Sequence, residues 1–105
     1  MTARPFDPAT YRSPIDVMPD FSATEMPGGG WSFFAIEGGV AVVMPSLPPS
    51  ASRRVRGLYA ARRDANLTGI CPACGAKSPP VVRGIVSQAA MHHRHDCPVS
   101  DPCRP

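Results

Sequence analysis

Cys71 and Cys74, separated only by Pro72 and Ala73, are answered further on by His93 and Cys97 in the run His92-His93-Arg94-His95-Asp96-Cys97. Four soft donors in this pattern suit one tetrahedral Zn²⁺ in a closed, structural site. In the first half, Pro72 pre-sets φ for a tight turn and Gly75 lets the chain leave it, so backbone N–H groups can reach the sulfurs. The expected local structure is a zinc knuckle. In the second half, His93 and Cys97 are four apart and would share one face of a helix. Pro98 disfavours helical backbone at Cys97, which keeps His92 and His95 open as alternatives to His93. Cys103 is a reserve ligand at a spacing unlike a knuckle.

A metal is also what a chain of this make-up needs. It has 105 residues, 14 of them Pro and 9 Gly, so there is room for one domain and much of the length is barred from helix and central strand. Cores this small are commonly stabilised by a metal or by disulfides. The expected organisation is a Pro/Gly-rich extended arm over 1–30, a zinc-binding α+β domain over 31–98 and a flexible tail over 99–105. The arm carries Pro5, Pro8, Pro14, Pro19 and Pro27 and ends in Gly28-Gly29-Gly30. It also holds Phe6, Tyr11, Ile15, Val17, Met18 and Phe21, too many apolar residues for a solvated linker. Parts of it are expected to lie along the domain or a partner.

From Trp31 onward the pattern is β-branched and aromatic. Trp31–Ile36 and Val40–Met44 read as two strands, and Gly38-Gly39 between them suits a two-residue hairpin turn. That register puts Phe33 and Ala35 on one face with Val42 and Met44, and Phe34, Ile36, Ala41 and Val43 on the other. Both faces are apolar. After Pro45–Pro49, Ser50 or Ser52 caps a predicted helix running to about Asn66, with Gly69 just past its end. Val55, Leu58, Tyr59 and Ala65 fall on one broad face, with Arg62 in its middle, where it must snorkel or pair. Gly57 is expected to cost this helix about 1 kcal/mol against Ala. Val81–Val86 reads as a short strand, and Ser87 as the cap of a turn or two of helix toward His93. The fold class is therefore α+β: a hairpin, one main helix and a zinc knuckle.

Leu67-Thr68-Gly69-Ile70-Cys71-Pro72-Ala73-Cys74-Gly75-Ala76, preceded by Ala60-Ala61-Arg62-Arg63 and followed by His93 to Pro98, resembles small zinc-binding proteins of actinobacteria and their phages. The resemblance covers about Ala60 to Val99. It implies metal binding at Cys71, Cys74, His93 and Cys97, and such proteins mostly have no assigned activity. Ten Arg to one Lys also fits a GC-rich genome.

Charge divides the chain. Residues 1–51 hold two Arg against three Asp and two Glu, a net of −3, and residues 52–105 hold eight Arg and one Lys against three Asp, a net of +6. The basic half can attract phosphates or an acidic protein. Three readings follow. The first is a protein-interaction adaptor or regulator, for which the resemblance implies a phage-encoded role, meeting a protein partner or a second copy through the hairpin Trp31 to Met44. The second is a nucleic-acid-binding zinc protein using Arg53, Arg54, Arg56, Arg62, Arg63 and Arg83. Here binding would be weak, because those arginines are scattered round the helix. The third is a thiol redox or zinc enzyme. Pro79-Pro80 follow too soon for the helix that activates a redox Cys. No Glu follows Glu37 to serve as a base beside a catalytic zinc. The chain is thus expected not to be an enzyme. With no signal-peptide core and no apolar run able to span a bilayer, it is expected in the cytoplasm, with no membrane association.

Overall fold

The computed structural model describes residues 6–37, 39–77, 84–87 and 97. Among these residues the architecture is α+β, with one α-helix packed on one sheet. Strands β1 (Phe21–Glu25), β2 (Trp31–Ile36) and β3 (Val40–Pro45) form an antiparallel meander, then helix α1 (Arg53–Thr68) crosses over to β4 (Gly84–Ser87). The strand order is β1-β2-β3-β4, and β4 pairs parallel to β3. A parallel pair requires a long crossover, and here that crossover holds both α1 and the Cys71–Cys74 turn. Among the described residues, no helix is long and apolar enough to cross a membrane.

The hairpin register differs from the sequence expectation by one residue. Phe34 pairs with Val42 and Ala35 with Ala41, so the connection is three residues long, closed by Gly39 N–H donating to the Ile36 carbonyl at 2.9 Å. One step of slip sends every side chain to the opposite face. Phe34, Val40, Val42 and Met44 consequently form the inner face, and Val42 and Met44 are fully buried. Trp31, Phe33, Ala35 and Val43 lie on the outer face, and Trp31 is 49% exposed. The one broad apolar face expected for the helix is divided in the structure. Of Val55, Leu58 and Tyr59, only Tyr59 joins the sheet core, together with Leu67; Phe34 meets the Tyr59 ring edge-on at 6.0 Å. Leu58, Ala61 and Ala65 point the other way, toward Cys71 and Cys97. The helix is sandwiched, so two apolar stripes are buried where an amphipathic reading allows one.

Its ends are as predicted. The Ser52 hydroxyl accepts from Val55 N–H at 3.2 Å, and Gly69 closes the helix at φ +82°.

Much of the Pro-rich segment before Trp31 packs along the sheet and the helix. Asp20–Met26 is the longest proline-free stretch before Pro27, and its centre becomes β1. Ile15, in a single 3₁₀ turn, is buried in the sheet core, while Phe6 and Tyr11 pack on the helix's second stripe. The crossing is closest at Gly57, where an added Cβ would lie 1.6 Å from the Pro8 carbonyl oxygen. This reverses the propensity argument. Gly57→Ala should destabilise the protein by about 1–3 kcal/mol, because the arm must lift off the helix, rather than stabilise it by helix propensity. Denaturant unfolding of the wild type and the variant checks the sign; a gain in stability from Gly57→Ala would mean that the arm does not cross there.

Candidate metal centre

The centre is assembled where α1 hands the chain to β4. After Gly69, Ile70 forms an isolated antiparallel bridge with Lys77, which closes a loop of the six residues from Cys71 to Ala76. Cys71 N–H donates to the Ala76 carbonyl and Gly75 N–H donates to the Cys71 carbonyl, both at 2.9 Å. Gly75 sits at φ +74°, a left-handed conformation that a side chain would strain. The Thr68 hydroxyl braces the entry, donating to the Asp64 carbonyl at 2.8 Å and accepting from Ile70 N–H at 3.3 Å. This is the tight turn expected from Cys-Pro-Ala-Cys-Gly.

Cys71 is 1% exposed, Cys97 is 6% exposed and Cys74 is half-buried. Their three sulfurs all lie within 4.8 Å of one another. The Cys71 and Cys97 sulfurs are 3.6 Å apart, with no disulfide among the three. Two ligands of a tetrahedral metal with bonds of about 2.3 Å sit about 3.8 Å apart, so the separation fits shared coordination. Burial pushes the Cys71 thiol above its ordinary pKa, and the backbone N–H groups of Cys74 and Ala73 pull it back only in part. A bound cation would hold the thiolate in this apolar setting, against Leu58, Ala61 and Ala65. The three sulfurs can hold a metal ion. No carboxylate joins the cluster among the described residues.

The structure thus brings together Cys71, Cys74 and Cys97. His93, with its alternatives His92 and His95, lies outside the described residues, as do Cys103 and Arg83.

A second buried cluster was not anticipated from the sequence. Arg63, 6% exposed, donates from Nε and Nη2 to Asp64 Oδ1 at 3.0 and 2.9 Å, and from Nη2 to the Ser13 hydroxyl at 2.9 Å. It also pairs with Asp16 at 2.9 Å. Its guanidinium lies over the rings of Phe21 and Phe34, at 4.9 and 5.5 Å. The Tyr11 hydroxyl donates to Asp64 Oδ2 at 2.6 Å. Helical spacing placed Arg62 on the apolar face, but Tyr59, Arg63 and Leu67, four apart, are the row that meets the sheet region. The available signal was Asp64, the one acid in a helix with five arginines.

Compared with family models, curated proteins and solved structures, the chain matches none of them.

Proposed function

We propose that this chain is a zinc-stabilised binding module that meets a protein partner, acting as an adaptor or regulator and not as an enzyme. The observation that carries the metal half of this reading is the convergence of three thiols from the two sides of β4, Cys71 and Cys74 before it and Cys97 after it. One Zn²⁺ held by Cys71, Cys74, Cys97 and one histidine, His93 first among them, would tie the turn after α1 to the chain beyond β4. The cytoplasm, where thiols stay reduced, is the compartment this site suits.

The protein-partner half is supported by what the arginines do. Arg63 is buried in ion pairs, and Arg56 donates to the Pro49 and Ala51 carbonyls at 2.8 and 3.1 Å, bracing the loop before α1. Two of the six arginines that favoured nucleic acid are therefore committed within the fold. The outer hairpin face, with Trp31 half-exposed beside Phe33 and Val43, is an apolar surface suited to a protein.

Titration of the zinc-loaded chain with duplex DNA, single-stranded DNA and RNA at two salt concentrations tests this. Binding is expected to be weak, indifferent to sequence and lost at the higher salt. Tight, sequence-preferring binding that survives salt would make the chain a nucleic-acid-binding zinc protein. Phe33→Asp, on the outer face, should abolish nuclease-resistant capture of protein from source lysate while leaving zinc content unchanged. Phe34 is no probe of association, because it is 7% exposed and belongs to the core.

A further inference from the structure

We infer that the free edge of β1 is a docking strand for an extended, lysine- or arginine-bearing segment of a partner protein. This rests on the reading of the chain as a protein-binding module and names the chemistry of the partner. Met26 N–H donates to the Trp31 carbonyl and Glu37 N–H donates to the Asp20 carbonyl, at 2.8 and 2.9 Å. In the antiparallel register Phe21↔Ile36 to Glu25↔Ser32, this alternation turns the backbone groups of Ser22 and Thr24 toward β2. Those of Phe21, Ala23 and Glu25 point away from β2, to an edge that no other described strand covers. Phe21 N–H is already used by the Met18 carbonyl. The edge therefore offers the Ala23 and Glu25 N–H groups and the Phe21, Ala23 and Glu25 carbonyls.

Ser22 through Glu25 are exposed, and the ladder runs unbroken. Natural edges are commonly blunted by proline, lysine or a bulge, and this strand has none of these. What it has is negative charge. Asp20 and Glu25 flank it, Glu37 sits beside Asp20, and all three are exposed with no ion-pair partner among the described residues. Asp20 and Glu25 are five residues apart, about 17 Å along an extended chain. A second copy fits poorly: antiparallel pairing about Ala23 sets each Glu25 opposite the other chain's Phe21, one residue from its Asp20, so acid gathers at both ends of the pair. A basic strand instead meets complementary charge at both ends, with main-chain bonds supplying affinity between them.

The test uses the zinc-loaded full chain and an octapeptide with a Thr-Val-Thr-Val centre and two lysines at each end. A peptide with four glutamates in place of the lysines is the control. Binding followed by residue-resolved amide exchange should protect Ala23 and Glu25 from exchange, beyond the protection Ser22 and Thr24 already have. Ala23→Pro removes an outward N–H without touching the β2 ladder, and should weaken binding at least tenfold with zinc content and melting unchanged. Glu25→Lys should do the same through charge. Equal binding of the glutamate peptide, undiminished binding by both variants, or no protection at Ala23 and Glu25 at millimolar peptide would overturn the proposal. A wild-type dimer broken by Ala23→Pro would overturn it in favour of a second copy. If lysate capture persists where the peptide fails, the edge assignment is wrong and the binding-module reading survives.

Discussion

Cys71→Ser should empty the metal centre and leave the chain without a cooperative fold. Structural zinc contributes apparent binding free energies of about 10–16 kcal/mol, while a chain this long has a net stability of roughly 5–15 kcal/mol. Loss of one ligand removes a term as large as the whole. Cys71 is also packed at 1% exposure with Leu58, Ala61, Ala65 and Cys97, so the smaller polar hydroxyl is left in an apolar pocket as well. Cys97→Ser should behave alike. Cys74→Ser, at a half-buried position, should lose the metal with a smaller packing penalty. Metal analysis alongside circular dichroism during thermal unfolding checks the three variants. Full metal content and an unaltered transition in Cys71→Ser would remove that residue from the centre.

The second large effect is expected at Asp64. The residue is 3% exposed, and its carboxylate serves two donors, the Arg63 guanidinium and the Tyr11 hydroxyl. Asp64→Ala leaves Arg63 buried against two aromatic rings with Ser13 and the half-exposed Asp16 as its remaining partners. Breaking a buried pair from one side typically costs about 3–5 kcal/mol. Asp16→Ala removes an ion pair whose acidic side chain is 54% exposed, and should cost about 1 kcal/mol or less. Urea unfolding of both variants should show that asymmetry, and equal losses would contradict it. The same cluster sets an alkaline limit. Burial, then the hydrogen bond to Asp64 and its charge, raise the Tyr11 pKa well above that of a free phenol. The folded state therefore keeps the proton that the unfolded state loses. The stability this contributes is complete below about pH 10 and declines as pH rises beyond it. Tyr11→Phe should flatten that decline.

What could be read from the sequence followed the range of the interactions. The ends of α1 were legible because Ser52 and Gly69 act on backbone groups within four residues. The knuckle was legible for the same reason: Pro72 and Gly75 fix the turn whatever surrounds it. The hairpin's strands were visible, but its register was not. Gly38-Gly39 fits a two-residue turn, and only packing of Phe34 against Tyr59 and Phe21 selects the three-residue connection that the structure has. What the first thirty residues touch was not legible, because proline density says what they cannot form and not where they pack. The Pro8 carbonyl over Gly57 and the Tyr11 hydroxyl on Asp64 span roughly fifty residues of sequence. Nothing local encodes such pairs.

Whether a metal joins the turn after α1 to the chain beyond β4 is tested most directly by native mass spectrometry of untagged protein before and after chelation. The expected spectrum shows one Zn²⁺ per chain, and chelation should remove it together with the compact charge-state distribution. A metal-free chain that keeps the same compact distribution and the same melting transition would contradict a metal-held fold.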